Sequence, residues 1–308
     1  MHTINDLHIM TKSTYLPTYI QFETNMICGA HCKMCPHDKI EPRREMKWSE
    51  LSRLIDKVAP YAEYLCPFLL QEPTHEKRLA QILSYIKQVN PMCKTVIYSN
   101  MSKWTQELTD KIVDRNSLDE LYISFYAPTR EHYKTWQPGL DYDQTVDNIM
   151  YWLEQNDGQT ITAFNYIAID DLIGENSETV KLFMDRWKKY APVRFLHYDT
   201  FHGVMPKYGD NDKHFGEGET VRAPCNRLWS GLNILSNGNV VPCCSDYAGD
   251  IILGNIHETP LEEIWRGDKF NKLRQQHLDG KQDEIPMCRD CTIWRHDHKT
   301  EWNKLWNQ

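Results

Sequence analysis

The sequence predicts an α/β protein: a run of strand–helix units followed by a small cysteine-rich domain. Three observations carry that reading. Short apolar strands alternate with amphipathic helices from Tyr19 to Tyr198. Three cysteines, Cys28, Cys32 and Cys35, share one loop straight after the first strand. Five more, Cys225, Cys243, Cys244, Cys288 and Cys291, gather in the last third, where long helices are few.

The elements follow in order. Tyr19 to Glu23 reads as the first strand. Ser49 is a candidate N-cap, and Leu51, Leu54, Ile55 and Val58 follow at helical spacing. Tyr64 to Leu70 is a short apolar strand. Leu79, Ile82, Leu83 and Ile86 mark a helix that must end near Pro91. Thr95 to Tyr98 is the third strand, and Trp104, Leu108 and Ile112 form the next helical stripe. Leu121 to Phe125 is the fourth strand, followed by a helical face of Val146, Ile149, Met150 and Leu153. Ile161 to Ile169 is the fifth, followed by Val180, Phe183, Met184 and Trp187. Val193 to Tyr198 is the sixth. Strands separated by helices in this way are parallel βαβ units with right-handed crossovers. Such sheets gather their chemistry at the carboxyl ends of the strands. Beyond them, Leu232 to Leu235 and Asn239 to Val241 flank Asn237-Gly238, a hairpin signal. A helical stretch runs from Leu261 to His277.

Composition narrows the function. The 308 residues are 41% hydrophobic and 25% charged, ordinary for a globular protein and enough for one large domain with an appendage. No stretch approaches the apolar length of a membrane span. The net charge is −8 and no basic run stands out, so neither a nucleic-acid partner nor a membrane is expected. Ten cysteines without an export signal point to a reducing cytoplasm, where cysteines serve as metal ligands or reactive thiols. Ten tryptophans and sixteen tyrosines supply core and helix–sheet packing.

Cys28, Cys32 and Cys35 are spaced C-x3-C-x2-C. Three thiolates on one loop can hold three corners of a 4Fe-4S cube and leave the fourth iron open, whereas electron-carrier clusters close it with a fourth cysteine. Zinc is the alternative, with His31 or His37 as fourth ligand, although structural zinc sites split their ligands into pairs. Unligated redox thiols are another.

With this motif after a first strand, the sequence resembles the radical S-adenosylmethionine (SAM) superfamily. The resemblance implies a partial (β/α)6 TIM-like barrel. It implies SAM chelated at the open iron and reductive release of a 5′-deoxyadenosyl radical that abstracts hydrogen. It places Met34, before the third cysteine, near the adenine. It matches Glu72 in Gln71-Glu72-Pro73 to an acid near the SAM amino group, with Leu70 and Gln71 standing where relatives carry glycines. The alternative is that Glu72 caps the helix start near Thr74. The resemblance also assigns Ser99 and Ser124, at the ends of the third and fourth strands, to SAM contacts; a strand-end Ser otherwise starts a turn. Tyr126 replaces an Asp frequent in relatives and receives no role.

The second group of cysteines can close either a cubane or a tetrahedral zinc, and ligand chemistry alone does not separate the two. Cys225, the Gly238-x4-Cys243 step and Cys288-x2-Cys291 resemble the shortened SPASM appendage called Twitch, as do Leu253 to Ile256 and Leu261 to Trp265. That resemblance implies one auxiliary 4Fe-4S cluster on Cys225, Cys243, Cys288 and Cys291, two clusters in all. Cys244, beside Cys243, is read as a buried thiol or as a hydrogen donor to a substrate radical. Cys66 reads as core and Cys93 as a turn bystander.

The expected organisation is an N-terminal extension (1–17), a radical SAM partial barrel (18–200), a linker (201–221), a SPASM/Twitch domain (222–294) and a tail (295–308) whose Trp302 and Trp306 pack on the barrel, cover a pocket or pair subunits. The resemblance is strongest to dehydrogenases acting on small polyols or amino-cyclitols. It implies a two-electron alcohol oxidation, with the auxiliary cluster taking the electron and a flavodoxin- or ferredoxin-type reductant supplying the first cluster. A substrate-side base is sought among Arg194, His197, Tyr198 and Asp199; alternation splits these between two faces, and His197 reads first as structural. Epimerisation with Cys244 as thiol donor is the alternative. Modification of a short peptide is weaker, because only residues 1–17 precede the first strand where a leader-binding domain is expected. An iron–sulfur or zinc-binding carrier is the non-enzymatic reading.

Overall fold

The computed structural model describes residues 16–41, 44–167, 178–196, 198–206, 222 and 224–291. His197, most of the linker, and the tail with Trp302 and Trp306 lie outside the described residues.

In chain order the elements are β1 (Tyr19–Phe22), α1 (Trp48–Val58), β2 (Tyr64–Cys66), α2 (Leu79–Val89), β3 (Lys94–Ser99), α3 (Gln106–Arg115), β4 (Glu120–Ser124), α4 (Arg130–Trp136), α5 (Tyr142–Gln155), β5 (Ile161–Ile167), α6 (Glu178–Trp187), β6 (Val193–Leu196), α7 (Arg227–Ser230), β7 (Gly231–Ile234), β8 (Asn239–Val241), β9 (Gly254–Asn255), α8 (Leu261–Arg266), α9 (Asp268–Leu278) and α10 (Pro286–Arg289). All six expected strands and the hairpin are present. Five details differ. Trp104, expected in the third helical stripe, precedes helix α3, which Thr105 caps. Helix α1 begins at Trp48, because the Glu50 carboxylate accepts the Lys47 N–H at 2.9 Å and Ser49 falls inside the first turn. Strand β2 stops at Cys66, since the Gln71 side chain accepts from the Leu69 N–H and turns the chain. Helix α4 was not foreseen; Thr129 caps it by accepting from the His132 N–H. The stretch 261–277 breaks at Gly267, where a Cβ would lie 2.6 Å from the Glu263 carbonyl oxygen.

The chain divides into two compact units. The first takes in described residues from 16–27, 40–97 and 224–289. Here β1 pairs in parallel with both β2 and β7, and β2 with β3; β7–β8 and β8–β9 are antiparallel. The cysteine-rich segment therefore adds its hairpin beside β1, with Tyr19 opposite Gly231. One face of the strands, carrying Ile20, Phe22, Leu65, Leu232 and Ile234, is covered by Leu51, Leu54, Ile55 and Val58 of α1 and by Trp265 and Phe270 among others. Each such large side chain contributes roughly 1.5–3 kcal/mol on burial. Cys93 lies in the turn after Pro91, as expected, where its N–H donates to the Asn90 carbonyl, and it is fully buried in this core. Cys66 is buried too, and burial pushes its thiol up to about 12.

The second unit takes in 28–39, described residues between 98 and 222, and 290–291. Strands β4, β5 and β6 are parallel, with Ser124 opposite Asn165 and Asn165 opposite Arg194. One face packs on helices through an aromatic core: Phe164 lies 4.8 Å from Trp187 and Tyr166 4.6 Å from Phe183, ring to ring. Within each unit, parallel strands separated by helices give the α/β architecture the sequence implies, with β9 an edge in the first unit and β6 an edge in the second.

Candidate cofactor-binding site

The first cysteine loop is held by a segment the sequence reading passed over. His31 N–H donates to the Pro138 carbonyl at 2.8 Å, and Lys33 N–H to the Trp136 carbonyl at 3.2 Å. The Lys33 ammonium sits 5.4 Å over the Trp136 ring. Gly139 has φ of +91°, and a Cβ there would lie 2.7 Å from the Gly29 carbonyl oxygen. Residues 136–139 thus form a cradle that only glycine completes. The turn dipeptide Pro138-Gly139 was its one sequence signal. Within the loop, Cys35 N–H donates to the Cys32 carbonyl, and Asp38 pairs with His31 at 2.9 Å.

Cys28, Cys32 and Cys35 are all half-buried. Burial pushes the Cys32 thiol well up, and negative charge on Cys35 and Cys28 pushes it further. Burial likewise raises Cys35 to about 11. A bound metal would supply the positive charge that makes such thiols thiolates. Among the described residues no three His, Cys, Asp or Glu side chains converge on a single-ion position.

Met34 is buried against Tyr198 and Met205, with Cys32, Tyr126, Trp136, Ile167 and Phe201 around them. Ser99 Oγ accepts from the Met101 N–H at 3.0 Å. Ser124 lies on the face of β4 that carries Tyr122, and its carbonyl accepts from Gln137. Glu72, in the first unit, is buried and accepts at Oε1 from both the N–H and hydroxyl of Thr74. That is the capping geometry. The Arg194 guanidinium lies 4.2 Å from the Tyr122 ring centroid. Tyr198 donates to the Pro206 carbonyl, and Asp199 accepts from the Phe201 N–H.

The second group is surrounded by donors. In the first unit, Arg227 Nη1 lies 3.2 Å from Cys244 Sγ and 3.8 Å from Cys243 Sγ. Ser245 N–H points at Cys243 Sγ at 3.4 Å. His277 is buried, with Nδ1 3.3 Å from the Cys225 N–H and Nε2 3.5 Å from Cys288 Sγ. A hydrogen bond from Cys244 and the Arg227 charge hold the Cys243 thiol well below its usual range, against burial. An environment that donates to sulfur is what thiolate ligands require. Cys244 packs against the small apolar group of Leu69, Leu235 and Val241. Cys291 falls in the second unit.

The chain thus joins a mostly parallel α/β fold, a three-cysteine loop after β1 and a cysteine-rich C-terminal appendage. Residues 225–292 match the SPASM family, described as an iron–sulfur cluster-binding domain. The S-adenosyl-L-methionine-dependent 2-deoxy-scyllo-inosamine dehydrogenase of Niallia circulans is 35% identical over 54 residues, 18% of this chain and 22% of that relative. Three solved structures share the fold. BtrN in complex with AdoMet and 2-DOIA superposes with a TM-score of 0.60 at 18% identity, over 90% of this chain and 93% of that one. SuiB of Streptococcus suis bound to precursor peptide SuiA gives 0.68 at 14%, over 87% and 68%. The anSMEcpe structure with bound AdoMet gives 0.66 at 11%, over 95% and 99%. At these identities the likeness is one of fold. No helix among the described residues is long and apolar enough to cross a membrane.

Proposed function

We propose that this chain is a radical SAM oxidoreductase that removes two electrons from an alcohol of a small polar substrate: a sugar, polyol or amino-cyclitol. Cys28, Cys32 and Cys35 hold one 4Fe-4S cluster in this reading, and Cys225, Cys243, Cys288 and Cys291 a second. The observation that carries the choice of reaction is the 35% identical match to an inosamine dehydrogenase, supported by the BtrN fold over 90% of the chain.

When bound, the first cluster with SAM supplies a 5′-deoxyadenosyl radical that takes a hydrogen atom, and the second supplies an acceptor for the electron left on carbon. The chain's own residues do the positioning. The cradle at 136–139 fixes the three-thiol loop. Met34 offers an apolar wall for the adenine, and Ser124, Ser99 and Glu72 are the polar candidates for SAM. Arg194, braced on Tyr122, is the group we assign to the substrate oxygen. Cys244, packed in apolar surroundings and bonded by Arg227, is assigned a structural role ahead of hydrogen donation. We place the protein in the cytoplasm, served by a flavodoxin- or ferredoxin-type reductant, with domain boundaries at 18–200 and 222–294.

The test is anaerobic turnover of the reconstituted protein with SAM, strong reductant and 2-deoxy-scyllo-inosamine in heavy water. Oxidation gives one 5′-deoxyadenosine per ketone and no deuterium on product carbon. A product carrying one carbon-bound deuterium with inverted configuration, lost in Cys244→Ala, replaces this reading with epimerisation.

A further inference from the structure

Alternation along β4, β5 and β6 separates two faces. Phe164 and Tyr166 look onto α6, against Phe183. The opposite face carries Tyr122 and Ser124 on β4, Ala163 and Asn165 on β5, and Arg194 on β6, aligned in register as Tyr122↔Ala163, Ser124↔Asn165 and Asn165↔Arg194. Tyr98 stacks on Tyr122 at 4.9 Å, and the Arg194 guanidinium covers the same Tyr122 at 4.2 Å. To reach from β6 to β4 the arginine must pass over β5, where Ala163 leaves it room. Its guanidinium thus lies over Tyr122 on the face that also carries Asn165, whose backbone is directly opposite that of Arg194.

Asn165 is 1% exposed, and its Oδ1 is buried with no hydrogen-bond partner among the described residues. A buried carboxamide left unsatisfied destabilises the fold, and native chains keep few of them without cause. We propose that Asn165 and Arg194 form a subsite for a hydroxyl group of a bound ligand. The chemistry selects that class. Arg194 only donates, so the ligand group must accept; Asn165 Oδ1 only accepts, so the same group must also donate. A carboxylate fails the second condition and an ammonium the first. A hydroxyl meets both, with Asn165 presenting its oxygen as it stands. The subsite deepens the reading given above and rests on it for which ligand arrives: the ribose of SAM or a polyol substrate.

The experiment compares the cluster-loaded full chain with Asn165→Leu and Asn165→Ala. Thermal unfolding and equilibrium dialysis of SAM, 2-deoxy-scyllo-inosamine and myo-inositol are the measurements. Replacing an unpaired buried amide by a side chain of similar shape should leave the melting temperature unchanged or raise it, while affinity for one hydroxyl probe falls about ten-fold in both variants. Loss confined to SAM assigns the subsite to the ribose; loss confined to a polyol assigns it to the substrate. Equal affinities in variants and unsubstituted chain overturn the proposal and leave Asn165 with a buried water only. So does an unsubstituted chain that binds none of the probes. A chain that takes up no SAM but shows the polyol loss refutes the radical SAM reading and leaves the subsite standing.

Discussion

His277 Nε2 lies 3.5 Å from Cys288 Sγ, while Nδ1 of the same ring lies 3.3 Å from the Cys225 N–H. The second contact fixes the first. To accept from a backbone N–H, Nδ1 must carry no proton, so the neutral ring holds its hydrogen on Nε2, directed at the sulfur. One buried imidazole thus spans two cysteines that are 63 positions apart in the chain, about the length of the whole appendage.

Under the proposed ligand sets, removing that ring should therefore act on the second cluster before it acts on the first. In His277→Leu, and separately in Arg227→Met, we expect the auxiliary cluster's reduction potential to fall, since hydrogen bonds to sulfur raise it. Turnover should drop by about ten-fold or more. EPR-monitored redox titration of the reconstituted protein reads the potential directly. A potential identical to that of the unsubstituted protein in both variants would show that these donors serve packing alone.

The two cysteine groups should also separate by iron content. The full chain, reconstituted without oxygen, should hold about eight irons. Joint replacement of Cys28, Cys32 and Cys35 by alanine should leave about four and end 5′-deoxyadenosine production. Replacing Cys225, Cys243, Cys288 and Cys291 should also leave about four, but with SAM cleavage still measurable. Retention of 5′-deoxyadenosine in the first variant would remove the basis for a radical mechanism.

The reach of the sequence follows from the range of each interaction. The six strands and their helices were legible because burial imposes a local period, as in the Leu51, Leu54, Ile55 and Val58 stripe. The hairpin was legible from Asn237-Gly238. The pairing of β7 with β1 was not, because it joins residues more than two hundred positions apart by backbone hydrogen bonds that leave no side-chain pattern. The same holds for the hold of Trp136 and Pro138 on the cysteine loop. Glu72 shows the converse: a motif position whose local cap to Thr74 is visible only once distances are known. Asn165 reads in the sequence as an ordinary polar residue within a strand; only its burial without a partner singles it out.

Glu50 makes part of the stability depend on acid pH. Hydrogen bonds from Arg44 and from the Lys47 N–H, chiefly the former, lower its carboxyl from 4.5 to about 2. A depressed carboxyl stabilises the fold in full above its unfolded value, and that contribution disappears as pH falls from about 4.5 through about 2. Solvent screening limits the cap and its ion pair to about 1 kcal/mol. Glu50→Gln should thus melt lower than the unsubstituted chain at pH 7 and coincide with it near pH 2. A constant gap between the two melting curves across that window would mean that the carboxylate charge plays no part.

Gly139→Ala offers the sharpest separation of cradle from cluster. The left-handed backbone at φ +91° costs a side-chain-bearing residue about 1–2 kcal/mol. The added methyl must also displace the Gly29 carbonyl oxygen, 2.7 Å away, and His31 Cδ2 at 3.0 Å. Neither can yield alone, because His31 N–H is bonded to Pro138 and Lys33 N–H to Trp136. The strain must then pass into the loop that carries Cys28, Cys32 and Cys35. We expect the variant to fold, to keep the irons of the second cluster, and to lose those of the first along with SAM cleavage. Gly158→Ala is the matched control. It pays a similar backbone penalty at φ +75° with nothing within 4 Å of the new methyl, so it should lower the melting temperature without changing iron content. If both variants lost iron alike, general destabilisation would account for the effect. If neither did, the grip of residues 136–139 would not be what keeps the three thiols in place.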